Sequence, residues 1–125
     1  MHITHVALWT NQLERMKAFY EEYFAATANQ KYENTSKHFS SYFLTFASGA
    51  RLELMHQPGR THVDSSSLGY AHLAISMGSK EKVDTKTKEL MQAGYTRLEG
   101  PRTTGDGYYE STFYDPDRNV LELTV

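Results

Sequence analysis

Two histidines and two glutamates occupy matching places in the two halves of the chain. His5 lies in the segment HVAL and His72 in HLAI, while Glu53 lies in RLEL and Glu122 in VLEL. The histidine precedes the glutamate by 48 residues in the first half and by 50 in the second. Imidazole nitrogens and carboxylate oxygens are common ligands of borderline divalent metals. A repeat that supplies one of each per half therefore predicts a divalent-metal site.

The segments around these four residues alternate in polarity as half-buried strands do. Because neighbouring side chains of a strand point to opposite faces, each ionisable residue is expected to lie opposite an apolar face that packs on a helix. The apolar residues that define these faces are Val6, Leu8, Leu52, Leu54, Leu73, Ile75, Leu121 and Leu123. The two histidines and two glutamates are therefore predicted to face a concave surface.

The composition narrows the possible chemistry and partners. The 125 residues include no cysteine, so thiolate metal sites, disulfides and cysteine nucleophiles are excluded. The 13 Lys+Arg nearly balance the 15 Asp+Glu, and a net charge of -2 argues against nucleic acid or an anionic membrane as partner. There is no 18-residue apolar stretch and no signal-peptide pattern, so we expect a cytoplasmic protein.

The first half is predicted to contain one amphipathic helix flanked by strands. Apolar side chains recur at helical spacing from Leu13 to Phe24. Asn11 with Glu14 three positions later has the pattern of a capping box, so Thr10 or Asn11 is expected to begin the helix. Strands are expected over residues 2–9, 38–47 and 51–57, with a short one within 25–37.

The second half is predicted to repeat the element order βαβββ. Ser79 is expected to cap a helix that stops at Gly94. The pair Gly100-Pro101 is expected to end a short strand and to begin a loop that runs to Gly107. The sequence DPDRN at 115–119 predicts a tight turn. Strands are expected over residues 70–77, 95–98, 108–114 and 120–125.

A stretch rich in Pro, Gly and Ser separates the two halves. Residues 58–67 are predicted to link a first module, 1–57, to a second module, 68–125. A module of about 60 residues buries little core by itself. The two βαβββ modules are therefore expected to form a single domain of the α+β class over residues 1–125.

Several motifs resemble the vicinal oxygen chelate superfamily, which includes glyoxalase I, bleomycin-resistance proteins, methylmalonyl-CoA epimerase and extradiol dioxygenases. The motifs are HVALW followed by Phe19-Tyr20, ARLELM, GYAHLAIS and FYDPDRNVLEL, and they span nearly the whole chain. The closest likeness is to small bacterial glyoxalase-I-like proteins. It implies paired βαβββ modules around a metal cleft, a homodimer, and ligand positions at His5, Glu53, His72 and Glu122.

The resemblance also implies an activity like that of lactoylglutathione lyase. In such an enzyme a divalent metal stabilises an enediolate-type intermediate of a small substrate. Glu122 would be the catalytic base that moves a proton between adjacent carbons, with Glu53 as its counterpart in the first half. The ligand set accepts Zn, Ni, Co, Mn or Fe.

One position departs from the glyoxalase I pattern. A basic residue commonly lies four positions after the first histidine in those enzymes, near the glutathione carboxylate, and here that position is Trp9. Arg51 and Arg102 are the candidates that remain for binding an anionic group. Glu110, which follows the loop before the penultimate strand, is a further candidate for contact with the substrate or with a ligand.

Two other functions are compatible with the same scaffold. An extradiol-dioxygenase-like enzyme would use iron with two histidines and one glutamate, but a fourth ligand at Glu53 counts against it, because that chemistry needs open positions. A non-catalytic protein that binds a drug or a metabolite would have little need of all four ligands. The fold alone does not separate these functions.

Overall fold

The computed structural model describes residues 1–62 and 68–125. The chain divides into two compact units, Met1–Ser65 (unit 1) and Ser66–Val125 (unit 2). The boundary between them falls within the predicted linker 58–67, of which residues 63–67 lie outside the described residues. Neither of the described helices has the length and apolar character that a membrane crossing requires.

Unit 1 is a five-stranded sheet with one α-helix packed on it. β1 pairs in parallel with β5, β5 pairs antiparallel with β4, and both β2 and β3 pair with β4. The first and last strands of the unit are therefore neighbours. Its elements are β1 (His5–Trp9), α1 (Leu13–Phe24), β2 (Thr27–Ala28), β3 (Tyr32–Asn34), a 3₁₀ turn (Thr35–Lys37), β4 (Phe39–Thr45) and β5 (Arg51–His56).

The helix α1 forms because its apolar residues recur on one side. Its buried residues are Leu13, Met16, Phe19 and Tyr20. This stripe packs against the apolar face of β4 and β5, where Leu44, Leu52 and Leu54 are buried. The predicted capping box is wrong, since the N-cap residue is Gln12 and no side chain caps the helix. The Thr10 hydroxyl instead accepts a hydrogen bond from the Gln12 amide at 2.8 Å, and because Gln12 precedes the helix this bond does not cap α1.

Unit 2 repeats the arrangement with four strands. The strand order is β6-β9-β8-β7, with β6 and β9 parallel, so the first and last strands are again neighbours. Ser79 is the N-cap of α2, as predicted, and its hydroxyl accepts a hydrogen bond from the Lys82 amide at 3.3 Å. The core consists of Val83, Leu90, Phe113, Leu121 and Leu123. The elements are β6 (Leu73–Ser76), α2 (Lys80–Gln92), β7 (Arg97–Thr103), β8 (Tyr109–Tyr114) and β9 (Val120–Thr124).

The predicted end of a strand at Gly100-Pro101 is wrong, because β7 continues through this pair to Thr103. β7 is an outer strand of its sheet, where a proline can leave its missing N–H on the unpaired edge. The register against β8 shifts twice along the strand, which accommodates the pair. Gly100 has φ +79, and its Cα approaches the Glu110 backbone so closely that there is no room for a side chain.

The predicted α+β class is confirmed, and both units follow the order βαβββ. Unit 2 does so strand by strand, whereas unit 1 divides its second strand into β2 and β3. The first strand of each unit is shorter than predicted, because β1 begins at His5 and β6 begins at Leu73. The expected alternation also holds, because Leu121 and Leu123 are buried on either side of a half-buried Glu122.

Candidate metal centre

His5 and Glu53 lie side by side on the face of the unit 1 sheet that is turned away from α1. The parallel register places Glu53 beside Ala7, two residues from His5 on the same face. His5 Nε2 is 3.8 Å from Glu53 Oε2. His5 Nδ1 lies 3.0 Å from the Thr4 hydroxyl, which leaves Nε2 as the nitrogen available to a metal. The His5 side chain is 38% exposed.

His72 and Glu122 form the equivalent pair in unit 2. His72 immediately precedes β6, and Glu122 pairs in register with Ala74 on that strand. His72 Nε2 is 3.3 Å from Glu122 Oε2. The exposures, 42% for the His72 side chain and 16% for that of Glu122, are close to those of the first pair. The structure therefore brings each predicted histidine to its predicted glutamate within a unit.

Each pair offers two groups that could bind a metal, one nitrogen and one oxygen. In the part of the chain that the structure describes, no group of three or more metal-binding side chains occurs. Zinc and similar metals take three or four protein ligands. A complete centre therefore requires more ligands than one pair holds.

Glu110 and Arg102 extend the unit 2 pair into a network. Glu110 lies against Glu122, and burial together with the Glu122 charge raises the pKa of Glu110. Arg102 Nη2 lies 3.5 Å from Glu110 Oε1 and 2.6 Å from Glu99 Oε2. Arg102 is thus committed to two carboxylates of its own unit. Of the two arginines predicted as candidates for binding an anion, Arg102 is the one whose charge is already compensated by carboxylates.

A family model described as the Glyoxalase/Bleomycin resistance protein/Dioxygenase superfamily matches residues 2–123. The chain belongs to this superfamily. The membership predicted from the motifs is thereby confirmed. None of the curated protein sequences matches the chain significantly.

Solved structures of the superfamily share the fold at low sequence identity. A glyoxylase/bleomycin resistance protein/dioxygenase domain from Frankia sp. EAN1pec has a TM-score of 0.85 at 20% identity, over 99% of this chain and 90% of that one. The trypanothione-dependent glyoxalase I of Leishmania major has a TM-score of 0.80 at 20% identity, over 99% and 86%. Glyoxalase I from Zea mays has a TM-score of 0.82 at 21% identity, and the match covers 98% of this chain but 44% of the maize chain. The chain thus spans less than half of the maize enzyme.

Trp9 has a partner that was not predicted from the sequence. Trp9 is 38% exposed, and the Arg60 guanidinium stacks over its ring at 3.8 Å. Asn11 Nδ2 donates to the Arg60 carbonyl at 3.1 Å, and Arg60 donates to the Gln57 side chain at 3.1 Å. Sequence reasoning missed Arg60 because it lies in the predicted linker. The only signal for it was a basic residue in a short Pro-Gly turn.

Arg51 lies on the same face as the His5–Glu53 pair, because alternate side chains of a strand share a face. It is the register partner of His5, and its guanidinium lies over the Phe43 ring at 4.4 Å from the centroid. The His5 ring meets the same Phe43 ring edge-on, with centroids 5.2 Å apart. Phe43 was not singled out from the sequence, since its role depends on the pairing of β4 with β5.

One surface depression of unit 1 lies away from this pair, on the helix side of the sheet. The depression lies at the start of α1, and its lining includes Glu14, Lys31 and His56. His56 Nδ1 donates to the Thr10 carbonyl at 2.9 Å, so this histidine has a structural partner. Because side chains alternate along β5, His56 and Glu53 face opposite sides of the sheet.

Proposed function

We propose that this chain is a metal-dependent enzyme of the glyoxalase type, a lyase or isomerase that moves a proton between adjacent carbons of a small substrate. The observation that carries the proposal is the His–Glu pair that recurs in both units, with nitrogen–oxygen distances of 3.8 and 3.3 Å. The proposed metal ligands are His5, Glu53, His72 and Glu122.

The donor set suits a divalent metal of intermediate softness. Each pair combines a neutral nitrogen donor with an anionic oxygen donor, which zinc, nickel, cobalt, manganese and iron all accept. When bound, such a metal supplies a Lewis acid that stabilises negative charge on a substrate oxygen. The exposed imidazoles leave the ligand atoms within reach of solvent, while the glutamates are largely shielded.

Glu122 is the proposed catalytic base. Its carboxylate would accept a proton from one substrate carbon and return it to the neighbouring carbon. Glu110 lies beside Glu122 and is itself held by Arg102. This contact restricts the positions that the Glu122 side chain can take. Glu53 is the corresponding carboxylate of unit 1.

Metal binding is the first test. Native mass spectrometry after loading with Co²⁺ should find one metal per chain, since each chain supplies two pairs and a complete centre needs more ligands than one pair holds. His5→Ala and His72→Ala should each weaken binding by roughly 100-fold or more. His56→Gln is the matched control, because this histidine lies on the same sheet as His5 but on its helix side. No uptake of metal, or unchanged affinity in both alanine variants, would overturn the proposal.

Turnover is the second test. The loaded protein should convert at least one member of a panel of hemithioacetals and acyl-CoA epimers. Glu122→Gln should lower kcat by roughly 100-fold or more while the fold is retained. Metal binding without turnover of any panel member would favour a non-catalytic binding protein and would overturn the enzymatic assignment.

A further inference from the structure

Among the described residues, the arginine on the site face of unit 1 lacks the carboxylate contacts that the site-face arginine of unit 2 makes. In unit 2 the arginine on the site face, Arg102, lies against two carboxylates. In unit 1 the guanidinium on the site face belongs to Arg51, and no described carboxylate lies within 4.0 Å of it. Its guanidinium lies over the Phe43 ring instead.

Position distinguishes Arg51 from the other arginines that lack a carboxylate partner. It is directly beside His5 in the parallel register and two residues from Glu53 on the same strand face. Its guanidinium and the His5 imidazole both pack on the Phe43 ring, at 4.4 and 5.2 Å from the centroid. The two groups are therefore separated by at most about 10 Å, a span that a small molecule bridges.

Stacking also orients the guanidinium. A guanidinium that stacks on an aromatic face leaves the N–H groups at its edge available to a hydrogen-bond acceptor. These N–H groups form a fork that matches the two oxygens of a carboxylate. The Phe43 ring thus restricts the Arg51 side chain before any ligand arrives, which lowers the entropy lost on binding.

We propose that Arg51 binds a carboxylate of the substrate. The substrate is then a small organic acid whose metal-chelating oxygens lie within about 10 Å of that carboxylate. The assignment of the chelating end rests on the proposed function, whereas the binding of a carboxylate to Arg51 does not. A positive charge beside a dication is unfavourable unless negative charge lies between them, and a carboxylate supplies it.

The first experiment uses the metal-free protein and needs no activity. Succinate and its neutral analogue succinamide are titrated while the Arg Nε–Hε signals are followed by ¹H–¹⁵N NMR. The Arg51 signal should shift in a saturable way with succinate and should not shift with succinamide. An Arg51 signal that moves no more than the signal of Arg15, which lies on the helix α1, would overturn the proposal.

The second experiment uses the Co²⁺-loaded protein and two chelators. Acetohydroxamate and succinic monohydroxamate differ by one carboxylate-bearing arm, and the latter should bind about tenfold more tightly to the wild type. Arg51→Gln should reduce this preference to less than about twofold, whereas Arg15→Gln, which makes the same charge change, should keep it. A preference that survives in Arg51→Gln would overturn the proposal.

The two experiments separate the two hypotheses. If Co²⁺ does not bind, the proposed function fails, and the succinate titration still decides whether Arg51 binds carboxylates. If Co²⁺ binds and neither probe senses Arg51, the metal site stands and the proposed substrate class is wrong. Arg51→Lys keeps the charge without the planar fork, so it should retain only part of the preference for the acidic chelator.

Discussion

Paired substitutions in β9 test the division of this strand into a core face and a site face. Leu123 is completely buried, whereas the adjacent Glu122 lies on the other face next to Glu110. Leu123→Ala removes a fully packed side chain, and Glu122→Gln changes a charge while it keeps the shape. Leu123→Ala should therefore lower the stability of the fold, whereas Glu122→Gln should weaken metal binding.

The expected magnitudes follow from burial and charge. A buried leucine replaced by alanine costs about 3–5 kcal/mol of unfolding free energy, and a chain of this size should lose roughly 10 °C or more in Tm. Glu122→Gln removes the repulsion between two neighbouring carboxylates, so it should change the unfolding free energy by less than about 1 kcal/mol and in the stabilising direction. Its metal affinity should fall by roughly tenfold or more.

Urea unfolding of the metal-free protein, followed by circular dichroism, measures the unfolding free energy. Competition with a chelator measures the metal affinity. Both variants should unfold with the wild-type m-value. Leu123→Ala should retain wild-type metal affinity under conditions where it is folded. Equal losses of unfolding free energy in Leu123→Ala and Glu122→Gln would show that the strand does not sort its side chains in this way, and the assignment of the site face would be refuted.

Three further outcomes are expected. Gly100→Ala should lose at least about 2 kcal/mol of unfolding free energy in urea titrations, because its Cβ would overlap the Glu110 carbonyl oxygen and φ is +79; a neutral result would contradict this. Ser79→Ala should cost about 1 kcal/mol through loss of the α2 cap, measured in the same way, while Ser79→Asp should restore it. Burial alone would raise the pKa of Glu14, but hydrogen bonds from Lys31 and Tyr42 outweigh it and lower that pKa. The small stabilisation therefore exists above the unfolded-state pKa of Glu14 and disappears as the pH falls through its folded-state pKa. Lys31→Met should raise the Glu14 pKa in an NMR titration.

The faces on which the two histidines and two glutamates lie were predictable because they depend on local rules. Alternation along a strand is set by the backbone, so the face of Glu53 follows from the burial of Leu52 and Leu54. The repeat then identifies which histidine belongs with which glutamate. The pairing of β1 with β5 in parallel completes the geometry, and it places His5 near its partner.

Features that depend on the path of the chain could not be predicted. Gly100-Pro101 is a strong local signal for a break, but an outer strand tolerates it since one edge of β7 is unpaired. The stacking of Arg60 on Trp9 requires the turn after β5 to fold back over the sheet, which no spacing indicates. The role of Phe43 likewise depends on register across β4 and β5.

The adjacency of the first and last strands in each unit has a consequence for the order of events during folding. His5 obtains its partner only after the chain has been completed to Glu53, and His72 only after Glu122. Contacts between residues so far apart in sequence are among the slowest to form, because the whole intervening segment must be closed into a loop first. During synthesis, the unit 1 pair therefore cannot exist until β5 has left the ribosome. Formation of either His–Glu pair would therefore report that the first and last strands of its unit had paired.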